Sequence, residues 1–151
     1  PASASFHMKQ DGNATELSDF QLSGDGFALS GDIRLGGGQL QHARFDHVNF
    51  NPSDDYAGLI ERGESGYAVT IDGNSIDARS IIKRALGGEG ATSASQEGDT
   101  TAVTVDASFA QVGGFNGESL SEVELTYASD GGPASLSLSG ATSRHGSARL
   151  T

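Results

Sequence analysis

The residues with which this chain could do chemistry are histidines, carboxylates, serines and glycines, and their spacing decides what they can do. The histidines are His7, His42, His47 and His145. His42 and His47 stand five apart in a strand-like run, so regular alternation sets them on opposite faces. No Asp, Glu or His around them has the helical spacing of a zinc site, and they read as exposed polar residues with no metal role. Serine is abundant, yet no Gly-x-Ser-x-Gly elbow feeds a helix, so an activated nucleophile has no scaffold. Gly24-Asp25-Gly26 and Ser129-Asp130-Gly131-Gly132 hint at calcium. They lack both the nonapeptide repeat and an EF-hand loop with its closing Glu, and read as hairpin turns. Asp54 and Asp55 are placed to pair with Arg62 across a short hairpin rather than to work as acid and base. Gly36-Gly37-Gly38 is no phosphate loop, because no Lys-Ser/Thr follows it and no helix starts there. No catalytic residue, metal site or cofactor emerges, and the chain is expected not to be an enzyme.

What positions such residues follows from the composition. Glycine supplies 22 of 151 residues, double the usual ~7%. Ser, Thr, Asn and Asp are also plentiful. That mixture suits short strands joined by tight turns, which need positive-φ positions, and not a helical bundle. Apolar residues make up 35% of the chain, a thin supply for one domain of this length. Twenty acids face nine bases, a formal charge of −11, so nucleic acid and anionic membrane surfaces are disfavoured partners. The absence of cysteine excludes disulfides and thiolate chemistry without deciding the compartment. No apolar run reaches the ~20 residues of a membrane span. The chain opens in mid-pattern at Pro1-Ala2-Ser3-Ala4-Ser5-Phe6 and stops at Leu150-Thr151. It therefore reads as a single β-rich domain, 1–151, belonging to a larger protein.

Period-two alternation is the clearest signal. Phe27, Leu29, Gly31, Ile33 and Leu35 alternate with polar or small residues, as a strand with one buried face requires. The pattern recurs at Tyr67, Val69, Ile71; at Val103, Val105, Ala107, Phe109; at Val123, Leu125, Tyr127; and at Ala134, Leu136, Leu138. Less regular runs lie at Phe6–Met8, Leu17–Leu22, Leu40–Phe50 and Tyr56–Ile60. The expected fold is all-β, a curled antiparallel sheet of short strands forming an open groove or half-barrel. Phe27, Leu29, Ile33, Leu35, Val69, Ile71, Val103, Val105, Val123, Leu125, Leu136 and Leu138 are expected on one core or lipid-facing side. Ser75 to Leu86 breaks the pattern. Ala78, Ile81, Ile82, Ala85 and Leu86 form a helical stripe, with Asn74 or Ser75 as cap and Gly87-Gly88 as stop. One short helix is expected there, near 75–86, followed by a mobile loop over 88–99. Arg79, Lys83 and Arg84 fit a solvated helix, two of them near the C-terminal end that favours cations.

A weak internal repeat runs through the strands: FQLSG at Phe20–Gly24, FALSG at Phe27–Gly31, VTIDG at Val69–Gly73 and LSLSG at Leu136–Gly140. In each copy the glycine shares a face with two apolar residues, where it can end a strand, bend it, or admit a close neighbour. The copies keep no fixed period, so a strict solenoid is not supported.

On these residues the chain resembles the AsmA-like superfamily of large envelope proteins, the TamB/YhdP type. The likeness rests on the LSG and IDG strand endings and on the block Tyr67-Ala68-Val69-Thr70-Ile71-Asp72-Gly73-Asn74-Ser75-Ile76-Asp77-Ala78-Arg79-Ser80-Ile81-Ile82. Phe109 to Leu125, with Gly113-Gly114-Phe115-Asn116-Gly117, is similar to a strand-turn-strand of that family. The resemblance implies a periplasm-facing segment of a parent anchored in the bacterial inner membrane, with strands curled into an apolar-lined groove. It implies phospholipid acyl chains and neighbouring repeats of the parent as partners, and a part in phospholipid transport and outer-membrane homeostasis. Cut sheet edges imply self-association through edge strands. The competing expectation is a structural or adhesive β domain of a bacterial surface protein, which richness in Gly, Ser and Thr, acidity and lack of Cys also fit. A glycan hydrolase is the weakest reading: paired carboxylates exist, but no aromatic platform accompanies them.

Overall fold

The computed structural model describes residues 2–79, 83, 101–130, 134–142 and 146–150, the last of these as backbone. Its strands are β1 (Ser3–Asp11), β2 (Ala14–Gly24), β3 (Phe27–Gly36), β4 (Gln39–Asn49), β5 (Asp55–Arg62), β6 (Gly66–Asp77), β7 (Ala102–Gly113), β8 (Ser119–Ser129), β9 (Ser135–Thr142) and β10 (Gly146–Leu150). They form one ten-stranded sheet in sequence order. Among the described residues β1 pairs only with β2 and β10 only with β9, so the sheet is open and not a barrel. Each strand packs extensively against its sheet neighbours alone, and no second layer lies on either face among the described residues.

Tight glycine turns make this meander possible. Gly37 and Gly38, both at positive φ (57° and 76°), form the two-residue link from β3 to β4. Such links match the strand twist only when both residues take positive φ. The Gly37 N–H also donates to the Asn13 carbonyl at 2.9 Å, tying this hairpin to the β1–β2 turn. Gly24-Asp25-Gly26 connects β2 to β3 with Gly26 at φ 87°, the hairpin turn expected of it.

Two features depart from the alternation-based reading. β6 and β7 are parallel, registered from Gly66↔Ala102 to Asp77↔Gly113, while every other pair is antiparallel. Alternation cannot reveal strand direction, because side chains change face every residue in either case; what it reports is one wet and one dry face. A parallel pair needs a long crossover, here residues 78–101, most of which lie outside the described residues. The second departure is the start of the expected helix. Ser75, Ile76 and Asp77 extend β6 instead, because each has a partner in β7: Gln111, Val112 and Gly113. Ala78 is in a turn, its N–H donating to the Gly113 carbonyl at 2.9 Å, and Arg79 and Lys83 are helical, whereas Ser80, Ile81, Ile82, residues 84–86 and the 88–99 loop lie outside the described residues. The last turn before β8 is a short 3-10 segment, Phe115–Gly117.

The carboxylates at 54 and 55 do not meet Arg62. Asp54 is 4% exposed. It accepts the Asp77 backbone N–H at 2.8 Å and the Asn51 side-chain amide at 3.1 Å. Ser75 Oγ donates to the Ser53 carbonyl at 2.7 Å, so the β4–β5 turn clasps the end of β6. A buried carboxylate is tolerated because its lone pairs are satisfied by donors that are themselves fixed. Asp55 instead accepts from the Asn74 amide at 2.7 Å.

Candidate functional site: the apolar face of the sheet

Directly opposed residues in neighbouring strands point to the same side, so the register traces each face across the sheet. One row runs Leu22, Leu29, Val48, Tyr56, Gly73, Phe109, Val123. The next runs Phe20, Gly31, Phe45, Gly58, Ile71, Ala107, Leu125, Leu138. A third joins Leu17, Ile33, Ala43, Ile60, Val69, Val105, Tyr127 and Leu136. The fourth passes through Leu35 and Leu40, and then through Arg62, Tyr67 and Val103. With Phe27, two residues from Leu29 on β3, all twelve residues named from the sequence stand on this one face. From Tyr67 to Gly73 the rows cover about 20 Å at the usual strand rise.

The face is larger than those twelve, and two glycines shape it. Phe20 and Phe45 flank Gly31, and their rings meet edge to face with centroids 6.1 Å apart. Tyr56 and Phe109 flank Gly73 in the same way, 6.0 Å apart. A Cβ on Gly73 would stand 2.5 Å from Tyr56 Cβ and 3.0 Å from Phe109 Cδ1; one on Gly31 would collide with the Arg44 carbonyl oxygen. Gly31 and Gly73 close two of the repeat copies read from the sequence, and here they admit close neighbours rather than end strands. Edge-to-face pairs of this kind are worth ~0.5–1.5 kcal/mol beyond area burial.

Alternation alone could not have found Phe45, Ala43 and Val48. β4 carries an extra residue at Asp46 and another near Gln41, where its register against β3 slips. A bulge of this type re-aims every side chain beyond it. For the same reason His42 and His47 lie on one face, opposite Arg34 and Ser30 respectively, and not on opposite faces. The signal that could have found the bulge is the run Ala43-Arg44-Phe45-Asp46-His47-Val48, where apolar spacing changes from two to three.

Cover on this face is thin. Among the described residues the buried apolar side chains are Ala43, Val48 and Val123. Phe6 (59% exposed), Met8 (64%) and Leu22 (39%) stand open at one margin and Leu136 (43%) at the other. The dry face ends at Ser75, Gln111 and Ser121 beyond the Gly73 row.

The opposite face is polar and laced with pairs. Arg34 meets Glu16 at 3.2 Å, and Arg44 meets Asp32 at 2.5 Å and Asp46 at 3.2 Å. His42 faces Glu61 at 3.9 Å, His47 faces Asp55 at 3.7 Å, and His7 faces Asp19 at 3.7 Å. The Asp19 backbone N–H, then Arg44, hold the Asp32 carboxyl below the ordinary range. These pairs lie on the solvent-facing side, where water and salt screen them. Among the described residues no three His, Asp or Glu side chains gather to hold a metal ion, and no helix is long and apolar enough to cross a membrane.

Compared with protein-family models, curated proteins and solved structures, the chain matches none.

Proposed function

We propose that this chain is a non-enzymatic β-groove module of a periplasm-facing, AsmA-like protein, one that carries phospholipid acyl chains and serves outer-membrane homeostasis. The observation that supports the reading is an apolar face four rows deep with no second layer upon it among the described residues. Leaving apolar area in water forgoes ~25 cal/mol per Å², and large exposed patches on soluble proteins mark interaction sites. An acyl chain is a fitting cover, since it is apolar throughout and asks nothing of backbone hydrogen bonding. The depth of about 20 Å exceeds half of the ~30 Å hydrocarbon core of a bilayer, the share of one leaflet.

The test is native mass spectrometry of the chain purified from a lipid-containing host. Val105 and Thr104 are neighbours on β7 that point to the dry and wet faces respectively. Val105→Asp puts a charge among the apolar rows and is expected to remove nearly all co-purifying phospholipid. Thr104→Asp adds the same charge to the wet face and is expected to leave lipid in place. A wild type without lipid, or equal retention in the two variants, would favour a structural or adhesive β domain instead.

A further inference from the structure

The dry face carries one Lys or Arg among the described strand residues, Arg62, at the last position of β5 and opposite Tyr67. Its place is held twice. Nη1 donates to Gln39 Oε1, and the guanidinium lies 5.7 Å from the centroid of the Tyr67 ring. Tyr67 is itself anchored, its hydroxyl donating to the Leu40 carbonyl at 3.3 Å. Among the described residues Arg62 makes no ion pair. It lines a recess of about 340 Å³ together with Gln39, Glu64, Ser65 and Tyr67. The other end of β6 differs, for there Asp77 is neutralised by Arg79, whose Nε lies 2.8 Å from Oδ1.

From Arg62 the apolar rows begin at once. Ile60 is two residues inward on β5, level with Val69 and Val105. A cation fixed at the end of an apolar track fits an amphiphile with an anionic group next to its tail. The planar guanidinium fork suits phosphate or carboxylate, both of which accept two parallel N–H bonds. Glu64 narrows the choice. A second charge of opposite sign in the same recess suits a head that carries a cation beyond its anion. The net charge of −11 repels a head of net negative charge and spares a zwitterion.

We infer that the Gln39–Arg62–Glu64–Tyr67 recess is a headgroup site for an amino-phospholipid, with the phosphate on Arg62 and the ammonium toward Glu64. The site rests on the acyl-groove reading above, and the two fail differently. The experiment loads the whole chain from mixed vesicles of phosphatidylethanolamine and phosphatidylglycerol in equal amounts, and measures bound lipid by native mass spectrometry. The wild type retains the amine-bearing lipid in several-fold excess. Arg62→Gln lowers total bound lipid about tenfold, the loss of one charge-assisted contact. Glu64→Gln keeps the total and brings the two lipids to parity. Because both residues are exposed strand-end or turn positions, circular dichroism of the variants should match the wild type. Full lipid retention by Arg62→Gln, or a wild-type preference for phosphatidylglycerol, overturns the headgroup site while the groove stands. A wild type that takes up neither lipid overturns both.

Discussion

The sheet has two halves that keep their register differently. From β1 to β6 every neighbouring pair slips at least once, with extra residues at Asp19, Gln41, Asp46 and Asn74. From β6 to β8 the ladders run without a shift, from Gly66↔Ala102 to Asp77↔Gly113 and from Val103↔Ser129 to Gly113↔Ser119. Bulges bend a strand and raise its twist, so, with one further slip where β8 meets β9, most of the bending falls between β1 and β6. There it brings Phe20 and Phe45 together over Gly31. The regular half keeps Val69, Val105 and Tyr127 in a straight row, and needs glycine where aromatic side chains cross from the bent half: Tyr56 reaches Phe109 over Gly73. Glycine is thus required at Gly31 and Gly73, where curvature or a bulky pair leaves no room for a Cβ, whereas Gly58 on the same face has space for one.

Three glycines on the dry face put that contrast to the test. Gly31→Ala drives a methyl into the Arg44 carbonyl, a backbone group that cannot rotate away. It should cost at least the ~1–3 kcal/mol typical of overpacking. Gly73→Ala meets Tyr56 and Phe109 side chains as well as the Asp55 carbonyl at 2.9 Å, and should fall at the lower end of that range. Gly58→Ala meets Phe45 Cδ2 only at 3.8 Å, an ordinary contact, and should cost under about 0.5 kcal/mol. Urea unfolding would order the three, and a Gly58 effect equal to that of Gly31 would dissolve the contrast.

The clasp between the halves is the next largest expectation. Asp54→Ala strands the Asp77 N–H at the end of β6 and should cost about 1–3 kcal/mol. Asp54→Asn keeps a carbonyl acceptor and should recover much of that loss. Hydrogen exchange at the Asp77 amide reads the clasp directly: it should quicken in the alanine variant and stay slower in the asparagine one.

Smallest is a titration at the outer end of the regular half. Three hydrogen bonds from the Arg79 side chain to the Asp77 carboxylate, with the Arg79 backbone N–H at 3.0 Å, hold its pKa at about 2. An ordinary aspartate titrates at ~3.9. Because the folded value is the lower one, the contribution to stability is complete above the ordinary value. It is lost as pH falls from there through about 2. Carboxyl chemical shifts across that window should show the depressed midpoint, and Arg79→Gln should move it upward toward ~3.9.

The legibility of the molecule follows the same division. Val103, Val105, Ala107 and Phe109 announce β7 in plain alternation, and Val69 and Ile71 announce β6, because no residue is inserted to break the period. In β4 the apolar residues change spacing at Asp46, and a strict period-two reading puts Phe45 and Val48 on opposite faces and separates His42 from His47. Ser75, Ile76 and Asp77 satisfied a helix-start pattern equally well. Cap preferences are local, whereas the partners that claim these residues for β6 come from β7, some thirty-five residues later. Asp54 and Arg62 looked like mates by distance in sequence, yet each found a different neighbour, Asp77 and Gln39.

Local chemistry thus specified strands, turns and the existence of a dry face, since alternation, glycine turns and charge act over a few residues. Strand direction at β6–β7, the placement of the bulges, the convergence of rings over Gly31 and Gly73, and the seat of Arg62 at the end of the apolar rows depend on which strand lies beside which. Those are contacts between distant segments, and their energies exist only once the chain has closed the loops that bring the segments together.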